Sequence, residues 1–185
     1  MISMRGLGIS STRSGGFNGG SIMVNVNVLG LSRRFMISSR PKWAFNVDLK
    51  KWFSERAYGR TLHLCCGLTH FDFAVNLDVD RKAKMDILAD MFSLPFRNDA
   101  FDTIICDPPY RLAIHRRGPW SREMFRVIRK QKGSRILLKT DFIPYFPGFT
   151  LKELVVYQGA RYWAPISLLL YYQLDNPTLL DWSGS

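Results

Sequence analysis

At 185 residues, 46% of them hydrophobic, the chain can build one continuous core and leaves no length for a second large domain. Its 26 Lys and Arg against 15 Asp and Glu give a formal net charge of +11, a positive field that draws polyanions, nucleic acid first among them; a solvated basic face is the alternative meaning of the same charge. No apolar run approaches the ~20 residues that span a bilayer, and Cys65, Cys66 and Cys106 fit neither a paired disulfide framework nor a zinc-knuckle spacing. A soluble cytoplasmic protein with reduced core thiols and no metal is therefore expected.

Residues 1–34 contain Gly15-Gly16, Gly19-Gly20 and Ser10-Ser11, with Arg5 and Arg13 and no acidic residue before Asp48. A stretch that buries so little does not offset the entropy of ordering it. A flexible basic arm is expected over 1–34 and a globular domain over 35–185. Three other readings stay open: an organellar transit peptide, a true start at Met23 or Met36, and an edge strand within Ser21 to Leu31, where Val24, Val26 and Val28 alternate with Met23, Asn25 and Asn27.

From Asp48 to Tyr58, Leu49, Trp52 and Phe53 lie at helical spacing among charged residues, and Gly59 stands where a C-terminal cap belongs. Seven short apolar runs follow, each a strand candidate: Thr61 to Cys65, Ala74 to Val79, Met85 to Ala89, Phe101 to Cys106, Ser134 to Thr140, Leu151 to Gln158 and Ile166 to Leu174. Between Pro119 and Lys130 the residues Trp120, Met124, Phe125, Val127 and Ile128 recur at helical spacing, with arginines opposite and Gly133 beyond. This helix joins the fourth and fifth runs. Continuous runs such as Thr103-Ile104-Ile105 and Ile136-Leu137-Leu138 suit parallel strands covered on both faces, which makes the class α/β. Only residues 68–73 separate Gly67 from the run at Ala74, too few for a crossover helix. The first crossover is expected to be a turn, with that side of the sheet bare or covered by the N-terminal segment.

In open parallel sheets ligands bind beyond the carboxyl ends of the strands. Here the first run is followed by Cys65-Cys66-Gly67, the second by Asp78, the third by Asp90 and the fourth by Asp107. Gly67 has no Cβ to collide with a bound cofactor. A carboxylate at a strand tip can accept from ribose hydroxyls, as Asp78 would, or from an adenine amino group, as Asp90 would. The same residue can equally cap a turn through local backbone amides. Asp107-Pro108-Pro109-Tyr110 is a stiff turn with two φ angles fixed and two donors removed. Its carboxylate and the Pro108 carbonyl can accept both hydrogens of a flat NH2 while Tyr110 stacks on the attached ring. A Pro-Pro loop with a buried tyrosine is the plain alternative. His63 reads as a core histidine within a strand.

Taken together, Leu62 to Gly67, Asn76 to Asp80, Ala89 to Phe96 and Phe101 to Tyr110 resemble the class I, Rossmann-like S-adenosylmethionine-dependent methyltransferases, and among them the amino-methyltransferases bearing D-P-P-Y. The resemblance covers roughly residues 48–174 and is most specific from Ala89 to Tyr110. It implies a mostly parallel seven-stranded sheet whose last strand is antiparallel, the last two strands forming a hairpin. It implies further that Cys65, Cys66 and Gly67 line the methionine end of S-adenosyl-L-methionine. Asp78 would hold its ribose, Asp90 and Met91 its adenine, and Asp107, Pro108, Pro109 and Tyr110 the target amine. The chain departs from the family pattern by keeping only Gly67 of the glycine-rich loop, with His63, Cys65 and Thr69 at its other places.

The expected activity is methyl transfer to an exocyclic amine of a DNA or RNA base, adenine N6 ahead of cytosine N4 and guanine N2. Arg111, His115, Arg116 and Arg117 follow the tetrapeptide and can grip phosphates beside a flipped base, or form a charged loop before the helix. With little room for a target-recognition domain, a protein partner can supply that function. Two other functions remain open: a nucleic-acid-binding accessory protein that has lost the cofactor, and methylation of a small-molecule or protein amine.

Overall fold

The computed structural model describes residues 26–27, 44–109, 117–158 and 166–177. In chain order they form β1 (Val26–Asn27), α1 (Val47–Arg56), β2 (Thr61–Leu64), β3 (Ala74–Asp78), β4 (Ile87–Leu88), β5 (Thr103–Cys106), α2 (Arg117–Val127), β6 (Arg135–Thr140), β7 (Phe149–Gln158) and β8 (Ile166–Leu174). The strands lie in one sheet in the order β1-β7-β8-β6-β5-β2-β3-β4. The pairs among β2 to β6 are parallel, and β8 alone runs antiparallel to both of its neighbours. The seven expected strands and the terminal hairpin are thus present. An eighth, two-residue strand is added where Val26 and Asn27 pair parallel with Leu154 and Val155, as the edge-strand reading of Ser21 to Leu31 anticipates. The rest of the arm lies outside the described residues.

Both faces of β5 are buried, because Ile104 and Cys106 point one way and Ile105 the other. On the first face α2 packs Trp120, Met124 and Val127 against Leu62, Leu64, Ile104, Ile136 and Leu138. On the second, α1 packs Leu49, Trp52 and Phe53 against Ile105, Leu137, Val155 and Leu169. Helix α1 starts at Val47 because the Asn46 side chain accepts from the Leu49 amide at 2.9 Å. It is tied to β7 by a forked bond from Arg56 to Glu153 at 2.6 and 3.0 Å.

Gly59 does not cap this helix, contrary to expectation: Ala57 does, in an extended conformation, its amide returning to the Phe53 carbonyl. The requirement for glycine is tertiary. At φ +60 a Cβ on residue 59 would lie 2.4 Å from Oδ2 of Asp102, a buried carboxylate that also takes the Arg60 amide and the side chains of Arg129 and Gln131.

The connection from β2 to β3, residues 65–73, contains no helix, as its length requires. Buried Asn76 pins it, donating to the Phe71 and Ala74 carbonyls and accepting from the Phe71 amide and the His63 ring. The sheet is not bare there. Phe45, just before α1, stacks on Phe53 at 5.0 Å and sits over His63 and Phe71, while its amide donates to Thr69 Oγ1 at 2.7 Å. The connections from β3 to β4 and from β4 to β5 also run without a helix. Among the described residues no helix is long and apolar enough to cross a membrane.

Candidate functional site

The parallel register aligns the carboxyl ends of β4, β3, β2, β5 and β6 along one rim. Read across the sheet, that rim presents Asp90, Asp78, Cys65, Asp107 and Lys139. Cys65, Asp78, Asp90, Met91 and Pro109 line one cavity of about 270 Å³, together with Leu77, Val79, Ala89 and Phe92. This is close to the lower end of the small-molecule range, which begins at about 300 Å³.

Asp78 is held at both oxygens by backbone: Oδ2 accepts the Gly67 amide at 2.8 Å and Oδ1 the Asp80 amide at 2.9 Å. Each carboxylate oxygen keeps a second lone pair, so the group can still accept from two vicinal hydroxyls. Asp90 caps a local turn, its Oδ1 accepting the Phe92 amide at 2.9 Å, and lines the cavity as well. Met91 is buried at the cavity wall, its sulfur 3.4 Å from Cys65 Sγ.

Cys65 occupies the left-handed region at φ +55, the conformation that glycine adopts without strain. Cys66 does not line the cavity. Its thiol is buried toward the Lys84 and Gly67 carbonyls, and burial pushes it up to about 12. Gly67 is likewise absent from the lining. It acts through backbone, its amide on Asp78 and its carbonyl on the Lys84 amide. Burial also raises Cys106, which keeps it a neutral core thiol.

Asp107 directly follows β5, half-buried, and both of its oxygens meet the Lys139 ammonium, at 3.0 and 3.1 Å. Pro108 is buried and Pro109 exposed at the cavity mouth. Tyr110, Arg111, His115 and Arg116 lie outside the described residues; Arg117 begins α2, its side chain likewise outside. Sequence reasoning passed over Lys139 and Phe92. Both carried a usable signal, Lys139 as a charge at the tip of the buried run Ile136 to Leu138, and Phe92 as an aromatic two residues after Asp90.

His63 is buried away from the cavity. Its Nδ1 lies 3.0 Å from Asn76 Oδ1, which can only accept, so Nδ1 is the donor of this bond. Desolvation lowers its pKa to about 4. A larger cleft of about 730 Å³ opens at the opposite, amino ends of β2, β3 and β4, lined by Arg60, Phe73, Val75, Ile87, Phe96 and Phe101 among others. It gathers no set of convergent acceptors, and the ligand-binding end of such sheets is the other rim. No group of three or more His, Cys, Asp or Glu among the described residues is placed to hold a metal ion.

No family model matches the chain, and no curated protein matches it by sequence. Solved structures do. A protein of Bacillus halodurans C-125 assigned as a methyltransferase superposes with a TM-score of 0.51 at 14% identity, over 71% of this chain and 100% of that one. The N-methyltransferase NodS of Bradyrhizobium japonicum WM9 gives 0.50 at 14% identity, over 69% of this chain and 92% of that one. The fold is therefore the Rossmann-like methyltransferase fold.

Proposed function

We propose that this chain is an S-adenosylmethionine-dependent methyltransferase acting on an exocyclic amino group of a nucleic-acid base, adenine N6 in the first place. The observation that carries the reading is the convergence of Asp78, Asp90 and Pro109 on one cavity at the carboxyl rim, with Asp107 beside it at the end of β5. The residues present fit the cofactor. Asp78, anchored by two amides, offers its remaining lone pairs to the ribose, and Asp90 to the adenine amino group, between the apolar walls of Met91 and Phe92. S-adenosylmethionine, when bound, supplies an electrophilic methyl group on a sulfonium.

The chain's own contribution is alignment and the exclusion of water. Asp107 and the Pro108 carbonyl take the two N–H groups of the acceptor, which turns the nitrogen lone pair outward and stabilises positive charge developing on it. Tyr110 stacks on the base, and a base in a duplex is flipped out to reach it. Arg111, His115, Arg116 and Arg117 engage phosphates, in keeping with the +11 charge, and a protein partner supplies target recognition.

The test is transfer of tritium from labelled cofactor to separate DNA, RNA and protein pools. Label in a nucleic-acid pool supports the reading, and label confined to protein replaces it with a protein-amine methyltransferase.

A further inference from the structure

The turn after β5 begins with Asp107, and its neighbour in the sheet, β6, brings Lys139 to the same level, because the parallel register sets Cys106 opposite Leu138. The ammonium bridges both carboxylate oxygens. Side-chain exposures of 17% for Lys139 and 24% for Asp107 place most of the pair out of water, where charge acts over a longer reach than at an open surface.

We propose that Lys139 is a specificity-determining residue that admits acceptor amino groups uncharged at neutral pH and excludes those that arrive as ammonium ions. The inference rests on Asp107 receiving the amine. An unneutralised carboxylate at that position would attract an alkylammonium group more strongly than a flat NH2. Paired with Lys139, it presents hydrogen-bond acceptors on a pair whose own two charges cancel. The methyl donor brings a positive sulfonium of its own, so a protonated acceptor would add a second uncompensated positive charge to a partly dry site. Aliphatic amines, with a pKa of about 10.4, arrive almost wholly protonated. The exocyclic amine of adenine, cytosine or guanine is neutral and offers two N–H groups. The carboxylate, with about four lone-pair sites, can accept from it without releasing Lys139.

An assay that needs no acceptor tests this on the full chain. Sinefungin resembles the cofactor but carries an amino group on carbon in place of the methylated sulfur, and so sets an ammonium ion where the methyl would stand. S-adenosylhomocysteine has no charge there. Calorimetry gives the ratio of the two affinities. Lys139→Met is expected to shift that ratio toward sinefungin on the order of tenfold, and Lys139→Arg to keep the wild-type ratio. Asp107→Asn, which leaves Lys139 unneutralised, is expected to shift it the other way and provides the test if the methionine variant does not fold. An unchanged ratio in a folded variant of either kind overturns the role of Lys139 while leaving the nucleic-acid reading in place. Binding of neither ligand by the wild-type chain removes the cofactor reading and this inference together. Wild-type methylation of a lysine side chain or of spermidine at pH 7 also overturns it.

Discussion

The Gly67 amide and the Asp78 carboxylate, 2.8 Å apart, join the loop after β2 to the tip of β3, and with the Asp80 amide they hold both oxygens of that side chain on backbone donors. Asp78→Ala leaves the Gly67 amide without its acceptor and removes the proposed ribose contacts. Stability should fall by about 1–3 kcal/mol, and affinity for S-adenosylmethionine by roughly 10–100-fold. Calorimetry well below the melting temperature checks this; undiminished affinity in a folded variant would remove Asp78 from the cofactor site.

Gly59→Ala tests the contact with Asp102. The new Cβ overlaps a carboxylate that cannot move without releasing Arg60, Arg129 and Gln131, and φ +60 is itself strained for alanine. We expect a loss of about 2–4 kcal/mol and a melting temperature lower by roughly 5–15 °C. A change of under 2 °C would mean that the backbone moves aside freely.

Cys65 bears a different strain, a left-handed conformation in a non-glycine residue on the cavity wall. Replacement by glycine removes the steric cost but adds unfolded-state entropy, so stability should stay within about 1 kcal/mol of wild type. Cys65→Val puts a branched Cβ where even an unbranched one is strained and should cost about 2 kcal/mol or more. Thermal unfolding of the two variants separates them. Equal loss in both would show that the thiol's packing, not the backbone angle, matters at this site.

Acid stability should report on His63. Its folded pKa of about 4 lies below the unfolded value of 6.5, so between these limits the unfolded chain binds the extra proton and stability falls as pH falls. The loss is about 2 kcal/mol from pH 6.5 to 5. Asp86, lowered to about 2 chiefly by its bonds from Asn76, loses its contribution only below its ordinary value near 3.8. His70, raised by its bond to Asp86, acts in the opposite sense, stabilising below the unfolded value and losing that contribution as pH rises through its folded one. Urea unfolding at pH 7 and pH 5 should show the slope in wild type and a flatter one in His63→Leu; identical slopes contradict the assignment.

Much of this fold is legible in the chain because burial on two faces leaves a plain mark: Ile104-Ile105-Cys106 and Ile136-Leu137-Leu138 are unbroken apolar runs, and the short spacing after Gly67 excludes a helix. Strand-end residues such as Asp78 and Asp90 are legible for the same reason, since a polar residue after a buried run marks the rim. What stayed hidden depends on distant partners. Gly59 answers to Asp102, 43 residues away in sequence. Pattern alone leaves open whether the first crossover is bare or covered, and only the fold shows the Phe45 ring over it. Lys139 is readable as a charge at the tip of a buried run, but its pairing with Asp107 follows only from the β5–β6 register. Cys66 and Gly67 sit in the expected loop, yet the local turn aims the one inward and uses only the backbone of the other.

The most direct test of the account is mass spectrometry of nucleosides released from DNA and RNA after incubation with isotope-labelled S-adenosylmethionine, using the wild-type chain and Asp107→Ala side by side. The account predicts a labelled exocyclic N-methyl nucleoside with wild type and none with the variant, whose cofactor binding persists. Equal methylation by both proteins, or no labelled nucleoside from a wild-type chain that binds the cofactor, would contradict it.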